Sequence, residues 1–508
     1  MARWHEFLDF QVATRPDAHA FSDDGGAGWT FAELSDAAGD VELILRDAGM
    51  EPGDKILLLA ENCAAVVAVL IAGARLGATV IPFNARQTET EIGRVLDHAE
   101  PAAIILTSDA SPDAAEHARR MGASPIAGSF GNLHLKIRNG TSDAEADVAV
   151  ILYTTGTTGA PKGVMLTHAN MRSGGMSSAR LREMTPDDLI YGVLPITHVF
   201  GLVSVVVAAI YAGAAVRLES RFIAAKLQAA LKDGVTLLSA VPRMHALLME
   251  HVKEQGSDRL HDHTLRYVSS GAAPLDRWWK RKAEAFYGVA VQNGYGMTET
   301  AAGICATRNA IGDPDVSVGP PLPGVEVRID ETTTGDGTGE VLVRGPNVMK
   351  GYYRNPDETA RTFDAEGWMR TGDLGWIDER GFLNLLGRSK ELIIHGGFNV
   401  YPPEVEAVLN DHPQVMQSAV IGHKVQGDEK VLAFVQVAEG QELTAETLHA
   451  FAAKRLTGYK RPSRIIITTG LPAAPTGKVL KNKLLEVFAD HFDDTDQDVN
   501  SPDRGSAT

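Results

Sequence analysis

Short apolar segments alternate with longer helical segments through the first half of the chain, and this alternation limits the fold more than any other feature. The helical segments are rich in Ala and Leu, as in residues 64–76 and 222–231. The strand-like segments are residues 55–60, 79–83, 103–107, 148–153, 215–218, 236–240 and 266–269. Such alternation is typical of parallel sheets with crossover helices. The sequence therefore predicts an α/β fold.

Two changes in composition and residue pattern divide the rest of the chain. From about Gly319, Pro and Gly become frequent, and two alternating segments, 326–330 and 340–344, resemble antiparallel strands around a Gly-rich turn. This pattern predicts a small barrel-like subdomain attached to the α/β part. Beyond the second change, near Gly387, a compact α+β unit is expected. The predicted division is an N-terminal domain (1–387), a hinge (388–392), a mobile C-terminal domain (393–490) and a disordered acidic tail (491–508).

The charge and the cysteines exclude several classes of protein. A net charge of -17 argues against nucleic acid or an anionic membrane as a partner, and it means that an anionic ligand must be held by local cations. Cys63 and Cys305 lie far apart in apolar surroundings, as expected for reduced core residues of a cytoplasmic protein without metal-site spacing. The most apolar stretch, 201–216, is shorter than the roughly 20 residues that span a bilayer, so a buried helix is expected there.

Residues 153–163 form a Gly- and Thr-rich segment directly after the apolar strand that ends at Leu152. Glycines allow the backbone to turn its N–H groups inward, and hydroxyls and one ammonium add further donors, which is what a polyphosphate requires. A P-loop NTPase is excluded because the lysine is followed by Gly163 and not by Ser or Thr. A polar surface loop is the alternative interpretation. The candidate phosphate ligands are Thr154, Thr155, Gly156, Thr157, Thr158, Gly159 and Lys162.

This segment, continued by residues 164–168, resembles the phosphate loop of the adenylate-forming (ANL) superfamily, the acyl-CoA synthetases or AMP-dependent acid–thiol ligases. Similar motifs recur in order from about residue 15 to residue 478, and residues 398–402 look most like bacterial fatty-acyl-CoA synthetases. The resemblance implies an enzyme that joins a carboxylic acid to AMP and then to a thiol. It implies ATP, Mg²⁺ and coenzyme A as the cofactors.

A second motif, residues 293–300, follows a strand-like run. Tyr295 offers a flat face for a purine, and Glu299 is a hard oxygen ligand suited to Mg²⁺. Without context it would be a strand-end turn with a surface glutamate. The resemblance implies that Tyr295 stacks on adenine and that Thr298 and Glu299 meet the α-phosphate and the metal. Nucleotide-side positions implied by the same matching are Asn293, Gly294, Gly296, Ala272 and Ala273.

Two further segments resemble nucleotide and hinge motifs. Residues 370–374 would otherwise be a turn with a capping aspartate, but the resemblance places Asp373 on the ribose hydroxyls. Residues 387–391 would otherwise be a solvated charge cluster. The resemblance makes them the linker, with Arg388 reaching the nucleotide and Lys390 at the pivot.

The C-terminal unit carries candidate residues for both half-reactions. Residues 472–479 resemble the loop of the adenylation lysine, and Lys478 would bridge two anions as the carboxylate attacks the α-phosphate, although Ala473 and Ala474 depart from the usual flank. Residues 395–404 resemble the loop that meets CoA, where Gly396 and Gly397 would let the pantetheine arm pass close to the backbone. The loop with Lys478 and the loop that meets CoA cannot occupy the site at the same time. The resemblance therefore implies that the C-terminal domain rotates about the hinge between the two half-reactions.

The acyl pocket is predicted from residues 194–201. The resemblance places His198 near the carboxylate and Val199 and Phe200 against the acyl group. Small residues at other pocket positions leave room for a chain or a ring. Arg243, where relatives have a small polar residue, would pair with the distal carboxylate of a diacid or lie on the surface. The other predicted pocket positions are Ser239, Ala301 and Ala302.

These features predict an ATP- and Mg²⁺-dependent ligase that forms an acyl-CoA through an acyl-adenylate. A medium- or long-chain fatty acid is the first expectation, and an aryl or dicarboxylic acid is the alternative. Loading of a carrier protein or an amine, and a non-catalytic nucleotide- or acyl-binding protein, are further alternatives. A homodimer is among the assemblies that the sequence leaves open.

Overall fold

The structure is a computed structural model, and it describes residues 2–23, 28–155, 161–271, 274–333, 337–425, 428–473 and 479–492. Of the predicted tail, residues 493–508 lie outside these ranges.

The described strands are, in chain order, β1 (His19–Ser22), β2 (Gly28–Thr30), β3 (Lys55–Ala60), β4 (Thr79–Asn84), β5 (Ala103–Leu106), β6 (Ser124–Gly128), β7 (Gly131–Ile137), β8 (Val148–Thr155), β9 (Pro161–Thr167), β10 (Leu189–Gly192), β11 (Ala215–Leu218), β12 (Leu237–Ala240), β13 (Tyr267–Ser270), β14 (Val291–Tyr295), β15 (Cys305–Ala306), β16 (Glu326–Asp330), β17 (Gly339–Arg344), β18 (Gly351–Tyr352), β19 (Met369–Ile377), β20 (Leu383–Arg388), β21 (Ile393–His395), β22 (Phe398–Val400), β23 (Val415–Val425), β24 (Asp428–Val437) and β25 (Arg464–Thr468).

The described helices are α1 (Glu6–Thr14), α2 (Phe31–Asp47), α3 (Ala64–Leu76), α4 (Glu89–Ala99), α5 (Pro112–Met121), α6 (His168–Leu181), α7 (Val199–Gly201), α8 (Ala208–Ala212), α9 (Ala224–Lys232), α10 (Pro242–Glu254), α11 (Arg277–Tyr287), α12 (Pro356–Thr362), α13 (Pro402–Asn410), α14 (Ala445–Ala453) and α15 (Leu484–Val487). A π-helical turn, Leu202–Val207, joins α7 to α8. Short 3₁₀ turns are Thr298–Thr300, Glu331–Thr333, Ser389–Glu391, Gly458–Lys460, Lys481–Lys483 and Ala489–His491.

Two eight-stranded sheets confirm the predicted α/β fold. The first has the order β15-β14-β13-β12-β10-β11-β1-β2, and the second has the order β18-β9-β8-β4-β3-β5-β7-β6. Their central strands run parallel, while antiparallel pairs form the edges. The strands predicted in the first half are all present, with ends shifted by no more than two residues. Long apolar runs suit strands that helices cover on both faces.

Helix α3 is apolar on nearly every side. In α3, every residue except Arg75 is buried, because this Ala- and Val-rich helix packs inside the main core. The predicted helix at 201–216 is also buried, but it ends at Ala212. Gly213 ends it by adopting a left-handed backbone with φ of +73°, and β11 follows. No helix in the described ranges is both long enough and apolar enough for a bilayer crossing.

Smaller units follow the two large sheets. Strands β16, β17, β19 and β20 form a four-stranded antiparallel sheet, in which the two segments predicted to alternate pair directly. After β20, the 3₁₀ turn at Ser389–Glu391 leads to the β21–β22 hairpin and to the sheet β23-β24-β25, which α13, α14 and α15 cover. The chain therefore ends in the separate α+β unit that the sequence predicts.

Candidate functional site

Four neighbouring parallel strands of the first sheet bring the predicted acyl and nucleotide segments to one edge. Strands β14, β13, β12 and β10 are adjacent and parallel, so their carboxyl ends face the same way. The segments that follow these ends contain Phe200, Arg243, Gly271 and Gly296. Clefts beyond the carboxyl ends of parallel strands are the usual ligand sites of such sheets. We call this region the carboxyl edge.

The predicted phosphate-binding segment is part of an antiparallel hairpin of β8 and β9. Thr154 pairs with Lys162, and Thr155 lies at the end of β8. The other predicted ligands, Gly156, Thr157, Thr158 and Gly159, lie outside the described residues, as do Ala272 and Ala273.

Three predicted nucleotide residues from separate motifs are in direct contact. The Tyr295 hydroxyl donates to Asp373 Oδ2 at 2.5 Å, and Arg388 Nε lies 3.2 Å from Asp373 Oδ1. Burial, and then the adjacent Asp373 carboxylate, raise the pKa of the Tyr295 hydroxyl. Burial alone would lower the pKa of Arg388, but neighbouring anions, Asp373 foremost, raise it. The group therefore holds one cation and one anion beside a flat aromatic ring.

The alternative interpretation of Asp373 as a capping residue in a turn is wrong. Asp373 lies inside β19, directly opposite Arg388 of β20 in the antiparallel register. Because paired residues of adjacent strands lie close together, this register itself brings the carboxylate to the guanidinium.

Glu299 is buried and anchored from another part of the chain. Tyr352 of β18 donates its hydroxyl to Glu299 Oε1 at 2.9 Å, and the Met349 N–H donates to the Glu299 carbonyl at 2.8 Å. Burial, followed by the Glu299 carboxylate, raises the pKa of the Tyr352 hydroxyl. Oε2 of Glu299 has no hydrogen-bond partner among the described residues, so it is the oxygen available to a metal ion. Thr298 is buried in the same 3₁₀ turn.

Lys162 is paired with a residue that the sequence reasoning missed. Its ammonium contacts Glu358 Oε1 of α12, and it lies 5.3 Å from the centre of the Tyr352 ring. Lys162 and Glu358 are 196 positions apart, so no local pattern could have linked them. Tyr352 and Glu358 therefore join Lys162 to Glu299 in one polar cluster.

The glycine at position 296 is required by a close backbone approach. A Cβ atom there would lie 1.4 Å from the carbonyl oxygen of Ala302, whereas at Gly294 the nearest atom would be 3.5 Å away. Ala302 itself has φ of +86°, an uncommon conformation for a residue with a side chain. Asn293 uses its amide N–H groups on the carbonyls of Val316 and Ser317, which fixes the strand end to a neighbouring loop.

The predicted acyl-pocket residues follow β10 and β12. Phe200 donates its backbone N–H to His198 Nδ1 at 3.2 Å, which starts the short helix α7, and Val199 is buried. A Cβ atom on Gly271 would lie 2.8 Å from the nearest carbon of the Phe200 ring, so the ring packs closely against this glycine. Of the small residues, Ser239 and Ala301 are buried and Ala302 is half-buried. The apolar ring and the histidine are thus adjacent at the carboxyl edge.

The C-terminal unit contains the remaining predicted residues. Gly396 and Gly397 have positive φ and are exposed in the turn between β21 and β22, and the Gly396 N–H donates to Asp428 Oδ1 at 2.8 Å. Lys390 is exposed in the 3₁₀ turn after β20. Lys478 lies outside the described residues. The residues that flank its loop, Ala473 and Val479, pair with each other.

A metal ion at this site would take most of its ligands from a bound nucleotide and water, not from protein side chains. The described residues contain no cluster of three or more His, Cys, Asp or Glu side chains that could hold an ion. One buried carboxylate with a free oxygen fits Mg²⁺ that is carried in by a nucleotide, since Mg²⁺ is usually held by one or two carboxylates, water and phosphates.

Comparisons with known proteins identify the family of the chain. The family model for the AMP-binding enzyme matches residues 8–353, and that for the AMP-binding enzyme C-terminal domain matches residues 404–478. The chain is 32% identical to an oxalate–CoA ligase of Arabidopsis thaliana, covering 94% of this chain and 96% of that protein. It is 34% identical to a 2-succinylbenzoate–CoA ligase of Geobacillus kaustophilus, covering 95% and 98%. ATP-bound MatB from Rhodopseudomonas palustris superposes with a TM-score of 0.83 at 32% identity, covering 97% and 100%.

Proposed function

Because the chain belongs to the AMP-binding enzyme family, we propose that it is an acid–thiol ligase that uses ATP and Mg²⁺ to convert a carboxylic acid and coenzyme A into an acyl-CoA, AMP and pyrophosphate. The observation that carries this proposal is the convergence of Tyr295, Asp373 and Arg388, which come from three separate strands. An aromatic face, a carboxylate and a guanidinium in contact suit a base, a ribose and a phosphate.

In the first half-reaction, the substrate carboxylate would attack the α-phosphorus and pyrophosphate would leave. Tyr295 would hold the adenine and Asp373 the ribose hydroxyls, while Thr298 would donate to the α-phosphate. Mg²⁺, held by Glu299, would supply positive charge to the phosphate oxygens. Lys162 would offset the charge of the leaving pyrophosphate. Electrostatic stabilisation of this kind is the main contribution of proteins to phosphoryl and adenylyl transfer.

In the second half-reaction, the thiol of CoA would attack the acyl-adenylate carbonyl and release AMP. We propose that Lys478 serves only the first step, and that rotation about residues 388–392 then brings Gly396 and Gly397 to the site. The division into a domain of residues 1–387 and a mobile domain of residues 393–490 is part of this proposal.

For the acid, the sequence favours a medium- or long-chain fatty acid, and the apolar contact between Phe200 and Gly271 suits its chain. A dicarboxylic acid is the second candidate. Arg243 lies just beyond β12 at the carboxyl edge, and its side chain is exposed with no hydrogen-bond or ion-pair partner among the described residues. The relatives named for oxalate and 2-succinylbenzoate support this candidate. The proposed location is the cytoplasm, which the two unpaired, buried cysteines favour.

The test is pyrophosphate release with fatty, aryl and dicarboxylic acids, with and without CoA, followed by product masses. A CoA-dependent acyl-CoA from one class supports the ligase and identifies its acid. Acyl-AMP without thioester would move the acceptor to a carrier protein or an amine. No pyrophosphate with any acid would contradict the proposal.

The role of Lys478 is tested by separating the two half-reactions. Lys478→Ala should reduce pyrophosphate–ATP exchange by about 100-fold or more, because loss of one transition-state charge partner typically costs that much. Conversion of preformed acyl-AMP by CoA should stay within about twofold of the wild-type rate. Normal exchange in this variant would contradict the role.

A further inference from the structure

The Lys162 ammonium is held between a carboxylate and an aromatic face. It contacts Glu358 Oε1 and lies over the Tyr352 ring, and about four-fifths of each of the Lys162 and Glu358 side chains is buried. An exposed ion pair contributes little to stability or orientation, but a partly buried pair against an aromatic ring restricts both partners. The position of this ammonium is therefore set by its neighbours and not by its flexible stem.

Glu358 is itself fixed in place as an anion. Its backbone N–H donates to Asn355 Oδ1 at 3.1 Å, which caps α12, and Arg361 Nη2 donates to Glu358 Oε2 at 2.9 Å. Lys162 first, and then Arg361, lower the pKa of the Glu358 carboxyl. The two carboxylate oxygens have different partners, so Oε1 points to Lys162 while Oε2 is held by the helix.

The same helix also anchors the residue that holds Glu299. The Tyr352 N–H donates to Thr359 Oγ1 at 2.9 Å, and the Tyr352 hydroxyl reaches Glu299 Oε1. Tyr352 pairs with Val164 of β9, two residues beyond Lys162. One short helix, α12, thus supports both the lysine and the glutamate to which the proposed mechanism assigns the phosphates and the metal.

We propose that Glu358 is a positioning residue that aligns the Lys162 ammonium for the β- and γ-phosphates of ATP, with Glu299 held in register through Tyr352. A free lysine side chain loses rotamer entropy when a ligand fixes it, and an anchored one loses less. An ammonium has three N–H donors, so one bond to Glu358 leaves two for phosphate oxygens. This inference rests on the proposed function.

The alternative is that Glu358 merely neutralises Lys162 and is displaced when ATP arrives. In that case the carboxylate competes with the phosphates, and its removal should tighten MgATP binding. Positioning predicts the opposite: removal weakens MgATP binding and slows adenylation, because the ammonium is no longer preorganised.

The experiment uses Glu358→Gln, with Asp357→Asn as the matched control, since Asp357 is an exposed carboxylate in the same helical turn. Both variants lose one negative charge at the start of α12. Glu358→Gln should slow pyrophosphate–ATP exchange roughly 10- to 100-fold, while thioester formation from preformed acyl-AMP stays within about twofold. Glu358→Asp, which keeps the charge one methylene further back, should recover part of the rate. The control should match the wild type.

A double-mutant cycle with Lys162→Ala separates positioning from a general loss of structure. If Glu358 acts through Lys162, the double variant should be no slower than Lys162→Ala alone. Additive losses, or tighter MgATP binding by Glu358→Gln in calorimetry, would overturn the inference. Calorimetry of MgATP binding needs no turnover, so this measurement decides the inference even if no acid supports exchange in the wild type. An absence of exchange with every acid would count against the proposed function only.

Discussion

Replacing Gly296 by alanine should disable adenylation through a steric effect that can be read from the backbone. The new Cβ would lie 1.4 Å from the Ala302 carbonyl oxygen, and ordinary van der Waals contact begins at 3.4 Å, so the two atoms must separate by 2.0 Å. Neither atom lies at the end of a flexible side chain, because one is a backbone carbonyl oxygen and the other is a Cβ attached directly to the backbone. The movement must therefore shift the segment between Tyr295 and Ala302.

That segment contains Thr298 and Glu299, so a shift of this size should cost far more activity than stability. A 1 Å misplacement of a catalytic group lowers a rate by about 100-fold, and overpacking lowers the free energy of unfolding by about 1–3 kcal/mol. We expect pyrophosphate–ATP exchange by Gly296→Ala to fall at least about 100-fold, with a lower thermal midpoint.

Two other glycines provide the controls. Gly294→Ala has its nearest atom at 3.5 Å, so its thermal midpoint should match the wild type. Gly93→Ala, in α4 with no atom within 4 Å, should keep full activity and gain up to about 1 kcal/mol from helix propensity. If Gly296→Ala exchanged pyrophosphate within about twofold of Gly93→Ala, the steric reasoning would be refuted.

Two further predictions concern charged residues. Arg243→Gln should lower kcat/KM for dicarboxylic acids by roughly 10- to 100-fold, the loss expected for one charge-assisted hydrogen bond, and leave kcat/KM for monocarboxylic acids unchanged. An equal effect on both classes would show that Arg243 does not recognise a distal carboxylate. Burial alone would raise the pKa of Asp143, but hydrogen bonds from Lys55, Tyr353 and Arg354 lower it below its usual 3.8. Its stabilising effect is therefore complete above about pH 3.8 and is lost as the pH falls through the depressed value. The difference in thermal midpoint between the wild type and Asp143→Asn should be constant from pH 7 to pH 5 and shrink only in stronger acid, and shrinkage already near pH 6 would contradict this assignment.

The parallel core of the fold could be predicted from sequence because its strands are continuous apolar runs. β3, for example, is buried at all six positions, and its length and flanks leave no helical alternative. The antiparallel edge strands gave no such signal. β6 is mostly exposed and contains Pro and Gly, so only its pairing with β7 makes it a strand.

The candidate site also contains some residues that could be predicted from the sequence and some that could not. Motifs such as residues 293–300 are local, so their residues could be identified before their geometry was known. Tyr352 and Glu358 lie outside the motifs that were identified from the sequence. Their positions depend on β18 pairing with β9 and on the contact between Lys162 and Glu358, and both contacts join segments that are far apart in sequence. Residues that orient other residues are therefore the part of a site that sequence patterns miss.

Two cations of the candidate site already have anionic partners within the protein. Lys162 is paired with Glu358, and Arg388 with Asp373. A cation taken partly out of water is costly unless it is paired, and these pairs meet that cost before a ligand binds. The pairing also means that the field at the site is set by geometry and not by net charge, since the chain carries -17 overall. Recognition of a polyanion by such a protein must then rest on directed hydrogen bonds from oriented donors, and this makes the residues that fix those donors as important as the donors themselves.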